Sequence, residues 1–248
     1  MMHDVSVQFL GSGDAFGSGG RLQTCIYVEA GDTHCLLDCG TSSLIAMRRG
    51  GVEPALIDAI LVTHLHGDHF GGVPFFIVEA QLISKRTKPL VVAGPPGVAA
   101  RLREAMEVML PGSSRVQQRF DVRVLELPER LPTQIGSVQV TPYPVVHPSG
   151  APPYALRVAC GGKVVTYSGD TEWTDTLLEA AADADLFICE AYFFAKKIKY
   201  HLDYETLMEH RAALSCRRLI ITHMSADMLA RLSEIETEYA EDGKRLLL

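Results

Sequence analysis

The sequence predicts an α/β protein built as a four-layer sandwich, with two β-sheets face to face and helices covering both outer surfaces. Three observations lead there. Short apolar runs of strand length recur in both halves of the 248 residues, and helical stretches with start and stop signals flank them. No low-complexity linker or compositional break divides the chain. Strand-rich halves flanked by helices bury their apolar faces by packing sheet on sheet. Residues 1–248 are therefore expected to form a single domain. The halves share a rhythm, not a short-period repeat.

Taken in order, residues 5–10 alternate apolar and polar side chains and form a first strand. The glycine-rich stretch 11–21 lacks a Gly-Lys-Ser/Thr ending and misses the dinucleotide spacing by one residue. It is expected to be a structural turn that leaves Arg21 available to a substrate. Residues 25–29 and 35–38 pair as a hairpin around Gly31-Asp32. Thr41 is placed to cap a helix ending at Gly50-Gly51. Next come a buried strand at 59–62, a helix over 73–84, a strand at 90–93, and a helix over 98–110 stopped by Pro111-Gly112. The second half carries strands at 122–127, 138–142, 154–158 and 163–167, a helix over 174–182 and a strand at 186–189. A helix over 204–214, a strand at 218–221 and a charged helix over 226–241 complete the chain.

With 47% hydrophobic and 21% charged residues, the composition is that of a soluble globular protein. A net charge of −7 counts against duplex binding through a broad basic face. It leaves small anionic substrates open, because bound dications invert the local field. Cys25, Cys35, Cys39, Cys160, Cys189 and Cys216 are scattered without a Cys-x-x-Cys pair, as expected of reduced, buried thiols in a cytoplasmic protein. Met1-Met2-His3-Asp4 does not open a signal peptide, and no apolar run reaches the length of a membrane span.

The chemistry concentrates in Thr63-His64-Leu65-His66-Gly67-Asp68-His69, directly after the apolar run 59–62. If the chain stays extended past Val62, His64, His66 and Asp68 point to one side, since strand side chains alternate. Gly67 would let the backbone turn and bring His69 round from the other side. Three imidazoles and a carboxylate so close together could hold two divalent ions; the bland alternative is a His-rich surface loop. His147, Asp170 and His223 each follow an apolar strand, as strand-end ligands should, and complete a two-metal cage. His3, His34 and His210 stand outside every motif and are assigned surface or structural roles. Without a Gly-x-Ser-x-Gly, and with no Cys in a suggestive His or basic setting, Ser and Cys hydrolase schemes are set aside.

His-x-His-x-Asp-His, a later His, Ser168-Gly169-Asp170-Thr171 and the closing Ile220-Ile221-Thr222-His223 resemble the metallo-β-lactamase fold superfamily over nearly the whole chain. The resemblance implies that His64, His66 and His147 bind one metal, that Asp68, His69 and His223 bind the other, and that Asp170 bridges them. Within the superfamily the chain is similar to ribonuclease Z and to phosphoribosyl cyclic phosphodiesterase. Residues 9–15, the Ser-Gly-Asp-Thr segment, and Glu190-Ala191 followed by Tyr200-His201-Leu202-Asp203 carry that likeness. It implies catalytic roles for Glu190 and His201 beside the scissile phosphate, with Asp68 orienting the nucleophile.

Two divalent ions, zinc first and manganese or iron as alternatives, would activate a bridging hydroxide. The expected activity is hydrolysis of a small or cyclic nucleotide-like phosphodiester. The alternatives are a thioester, lactone or sulfate ester hydrolase, a ribonuclease Z-like RNA endonuclease, and a non-catalytic metal-binding scaffold. The basic arm by which ribonuclease Z grips tRNA has no counterpart here, and neither has the Cys-rich insertion of the cyclic phosphodiesterase; tRNA is thus not the expected partner. Lys196-Lys197-Ile198-Lys199 could steer a phosphate or simply be a solvated loop. Family analogy implies a homodimer.

Overall fold

In the computed structural model, residues 5–248 are described. The readings made for residues 1–4, His3 among them, fall outside that range. The first half supplies β1 (Val5–Gly11), β2 (Cys25–Ala30), β3 (Thr33–Leu37), α1 (Ser43–Gly50), β4 (Ala59–Leu61), α2 (Gly67–Phe70), α3 (Val73–Leu82), β5 (Leu90–Gly94), α4 (Val98–Met109) and β6 (Val122–Glu126). The second half supplies β7 (Thr133–Ile135), β8 (Val138–Pro144), β9 (Tyr154–Cys160), β10 (Lys163–Tyr167), α5 (Thr176–Ala180), β11 (Leu186–Glu190), α6 (Tyr204–Glu209), β12 (Leu219–Thr222), α7 (Ala226–Leu229), β13 (Glu238–Tyr239) and β14 (Arg245–Leu247).

Two seven-stranded mixed sheets result, in the orders β14-β1-β2-β3-β4-β5-β6 and β13-β12-β11-β10-β9-β8-β7. One buried cluster, including Phe9, Leu37, Tyr154, Val165 and Ile188, draws on both sheets and fills the space between them. A second packs the first sheet against α1, α3 and α4, and a third packs the second sheet against α5, α6 and α7. Those three apolar layers separate four layers of secondary structure, so the fold is the αββα sandwich the sequence predicts.

The largest departure lies at the C-terminus. The helix expected over 226–241 is limited to α7, and the chain then returns to extended structure. Ile235-Glu236-Thr237-Glu238-Tyr239 alternates with period two, and the open edge of β12 pairs with it in parallel (Ile220 with Glu238, Ile221 with Tyr239). The last residues then cross to the other sheet as β14, antiparallel to β1. Arg21 is committed here, to the carbonyl of Ala240 and, at 3.3 Å, to Ser12 Oγ. It secures the C-terminal crossing and does not line the cavity described below.

Two smaller differences have local causes. Thr41 does not cap α1, because its hydroxyl and amide are both engaged by the Gln23 carboxamide. The helix expected over 204–214 breaks after Glu209 into a short 3-10 turn.

The metal motif is seated differently from the extended arrangement. The backbone is extended only as far as His66, and Asp68 and His69 sit on the first turn of α2. Gly67 is not among the left-handed residues, and a Cβ there would meet nothing within 4 Å. The glycines that matter flank it in space. A Cβ on Gly40 would come within 2.2 Å of the Asp68 carbonyl oxygen, and one on Gly72 within 2.2 Å of the Gly40 oxygen. These contacts dock α2 against the end of β3. Gly40→Ala should therefore lower stability by about 1–3 kcal/mol through overpacking, while Gly67→Ala changes it by less than about 1 kcal/mol. Thermal denaturation of the two variants checks the contrast.

Candidate metal centre

Strand ends and the turns after them deliver every polar group of the site. His64 and His66 follow β4, Asp68 and His69 lie on α2, and His147 lies between β8 and β9. Asp170 follows β10, Glu190 ends β11, and His223 follows β12. The parallel run β10-β11-β12 aligns three of these strand ends side by side. All seven residues predicted as ligands are brought together. His64, His66 and His147 form one group, and Asp68, His69, Asp170 and His223 form another. A third group, Asp170, Glu190, His201 and His223, adjoins them.

The hydrogen bonds fix how the rings face. His69 Nδ1 lies 2.6 Å from Asp38 Oδ2, so it donates there and turns Nε2 inward. Thr63 Oγ1 donates to Asp38 Oδ2 at 2.8 Å and accepts from His64 Nδ1 at 3.0 Å, which leaves His64 Nε2 as an acceptor. His147 Nδ1 donates to the Tyr200 carbonyl at 2.8 Å, and its Nε2 faces His66 Nδ1 at 3.0 Å. His69 Nε2 and His223 Nε2 face each other at 3.3 Å. His64 Nε2 and Asp170 Oδ1 are buried without a hydrogen-bond partner.

Asp170 joins the groups. Its Oδ2 is 3.9 Å from both His64 Nε2 and His147 Nε2, and its Oδ1 is 3.2 Å from His69 Nε2. Ring nitrogens directed at one another, and orphaned buried acceptors beside a shared carboxylate, are what a cation-binding cage needs.

The electrostatics agree. Burial opposes ionisation of Asp170, yet His223 and His69 hold its carboxyl well below the usual range. Burial likewise opposes protonation of His223, but Asp170, with Asp68 and Glu190 beside it, pushes the imidazole up to about 10. His69 is also raised despite burial, by Asp170, Tyr167, Asp68 and Asp38. Two imidazolium N–H groups cannot both point across 3.3 Å, so the carboxylates call for positive charge that the histidines cannot jointly supply. Divalent cations fit this donor set. Those His and Asp nitrogens and oxygens are the groups that would hold them.

Glu190 is completely buried and shares its carboxylate between the Thr171 amide and His201 Nδ1, the latter at 3.0 Å. Burial would lower the His201 pKa, but the bond to Glu190 raises it above the ordinary imidazole value. His201 lines a cavity of ≈ 210 Å³ with Ala15, Phe16, His66, Asp68, His147, Asp170, Tyr192 and His223. Two larger clefts, ≈ 560 and ≈ 670 Å³, lie elsewhere and contain none of the predicted ligands. Lys196, Lys197 and Lys199 are exposed and outside the cavity lining, and Lys196 Nζ rests 4.9 Å from the Phe193 ring centroid. His34 pairs with the Tyr27 hydroxyl and His210 stacks on Trp173, both away from the site.

Sequence reasoning missed the supports. Asp38 follows the apolar run of β3 in the same way as the predicted ligands follow theirs, and that was the available signal. Glu172 accepts the Tyr200 amide at 2.9 Å, and the Tyr200 carbonyl in turn accepts from His147, so the loop before His201 is tied to a metal-type histidine. Nothing in the sequence marks that link.

The profile of the family described as anti-Pycsar protein Apyc1 matches residues 5–243. The chain belongs to that family. Among curated relatives, ribonuclease Z of Agathobacter rectalis is 24% identical, with 91% of this chain and 89% of that protein aligned. The metallo-β-lactamase fold protein YhfI of Bacillus subtilis superposes with a TM-score of 0.80 at 20% identity, over 99% of this chain and 100% of the other. The short form of human tRNase Z does so with a TM-score of 0.78 at 24% identity, over 97% and 98%. This member of the Apyc1 family thus has the metallo-β-lactamase fold, and its sequence is similar to that of ribonuclease Z. None of its described helices is long and apolar enough to cross a membrane.

Replacing Asp38 by Ala removes the acceptor that orients His69 directly and His64 through Thr63. The variant should lose divalent metal to a competing chelator about 10- to 100-fold more readily, as measured by metal content after equilibrium dialysis.

Proposed function

We propose that the chain is a two-cation phosphodiesterase acting on a small or cyclic nucleotide-like phosphodiester. The observation that carries this reading is the sharing of Asp170 between two groups of ligand-type atoms, with the His201–Glu190 pair on the wall of the same cavity. His64, His66 and His147 would hold one cation, Asp68, His69 and His223 the other, and Asp170 both. A set of His and Asp ligands without thiolate suits zinc, with manganese and iron as alternatives. Two such cations supply the Lewis acidity and water activation of phosphoryl hydrolysis.

The remaining steps belong to the chain's own residues. Burial works against ionisation of Asp68, but His69 and His223 keep its carboxyl well below the usual carboxylate range. It therefore stays an acceptor and orients the attacking water at the cavity wall. His201 gives Nδ1–H to Glu190, and its other nitrogen is available to the substrate. The raised pKa favours the protonated form of that nitrogen, which can pass its proton to the departing oxygen as the P–O bond breaks. The cavity volume and the net charge of −7 favour a small substrate over a structured RNA. Ribonuclease Z and tRNase Z, similar to this chain, carry names that denote phosphodiester cleavage in RNA.

Purified protein loaded with zinc or manganese should hydrolyse bis(p-nitrophenyl) phosphate and cyclic nucleotides, and Asp68→Ala should abolish both activities. His201→Ala should lower kcat by about 10²- to 10⁴-fold for a cyclic nucleotide, whose alkoxide leaving group needs a proton. It should do far less to bis(p-nitrophenyl) phosphate, since p-nitrophenolate leaves unprotonated. Equal losses on the two substrates would remove the acid role of His201. Turnover of a thioester, lactone or sulfate ester in place of any phosphodiester would overturn the proposed activity.

A further inference from the structure

The most exposed large apolar side chain among the described residues is Phe16, at 85%. A single exposed apolar residue ordinarily means nothing. This one stands in the lining of the cavity that collects His66, Asp68, His147, Asp170, His201 and His223.

Its loop is also built to hold it there. Asp14 is buried, and its carboxylate accepts from the Phe16 amide at 3.2 Å, the Ser18 amide at 2.9 Å and the Ser18 hydroxyl at 2.7 Å. The Ala15 carbonyl accepts from Gln23 Nε2 at 3.2 Å, and Gln23 is itself fixed by the Thr41 amide at 2.8 Å. Gly17, Gly19 and Gly20 take left-handed conformations open to glycine, which lets the loop close on itself directly after Phe16. An exposed ring on so well-tied a backbone is preorganised, and its contact with water is not relieved by anything in the chain.

Volume supplies the second half of the case. The cavity measures ≈ 210 Å³, below the roughly 300–1,000 Å³ typical of sites that enclose an organic ligand. A phosphodiester group and the sugar carbons next to it fill such a space. The rest of a nucleotide-like substrate must lie outside, over the rim. Of the aromatic rings lining the cavity, that of Tyr192 lies against His201, with centroids 4.7 Å apart, whereas Phe16 is open.

We infer that Phe16 is a specificity-determining residue whose ring stacks on the aromatic base of the substrate at the rim of the cavity. The inference rests on the phosphodiesterase reading and deepens it. Aromatic stacking tolerates any base, because every base has a π-face. The contact is made equally before and during reaction, so it acts on KM and not on kcat.

The test compares a 3′,5′-cyclic nucleotide with the matching methyl riboside cyclic phosphate, in which a methoxy group replaces the base. Phe16→Ala should raise KM for the nucleotide by about tenfold, with kcat little changed, and leave the baseless compound unaffected. Phe16→Trp should restore the wild-type KM. Phe16→Leu, apolar but without a π-face, should behave as Phe16→Ala. An unchanged KM in Phe16→Ala, or the same increase with both compounds, overturns the stacking role while leaving the phosphodiesterase intact. Failure of the metal-loaded wild-type protein to cleave either compound overturns the phosphodiesterase reading, and the stacking role with it.

Discussion

The Asp38 carboxylate is the tie on which the rest of the site depends. It is wholly buried, and it accepts from the Thr63 amide at 2.7 Å, the Thr63 hydroxyl and the His69 ring. A buried carboxylate is costly unless fully hydrogen-bonded, and here the bonds come from the end of β4 and from α2 while the acid itself follows β3. One side chain thus couples two strand ends to the helix that carries Asp68 and His69. It also sets the protonated nitrogen of two imidazoles. Its own backbone is left-handed at φ 59, as is that of His223 at φ 57 and of Tyr200 at φ 72. Strained conformations at the orienting acid, at a ligand-type histidine and beside His201 are the kind that persist only where the surroundings over-determine them.

The sandwich makes this convergence a consequence of topology. The first sheet contributes the ends of β3 and β4, and the second contributes the ends of β10, β11 and β12 from a parallel run. Crevices beyond the carboxyl ends of parallel strands are where sheets of this type leave room for ligands. Packing the sheets face to face brings the two sets of strand ends within hydrogen-bonding range, with His69 opposite His223 and His66 opposite His147. The return of the C-terminal chain as β14 onto β1, secured by Arg21 and by Arg245 on Glu29, fastens the sheets to each other at a distance from the chemistry.

What the sequence made legible was what depends on short-range pattern. Apolar runs gave the strands, and the ligand types sat at the ends of those runs, so His64, His66, Asp68, His69, His147, Asp170 and His223 could all be picked out and are all brought together. Residues whose role depends on a long-range partner were not legible. Asp38 acts on a helix 31 positions away. Ile235 to Tyr239 alternate as a strand does, but the run is short and follows α7 in a charged stretch, and the open edge of β12 is what pairs with it. Gly67 drew attention by standing inside the motif, yet the close approaches belong to Gly40 and Gly72, which only the docking of α2 on β3 reveals. Arg21 fits an anion on chemistry alone, but the C-terminal crossing claims it first.

The central claim is that two groups of ligand atoms sharing Asp170 hold two cations. Its most direct test is the metal stoichiometry of apo-protein reconstituted with zinc, measured by mass spectrometry of the metal after removal of unbound ion, for the wild type and for His66→Ala. The account predicts two equivalents in the wild type and a selective loss of one in the variant. A wild-type protein that saturates at a single equivalent, or that retains none, would contradict it.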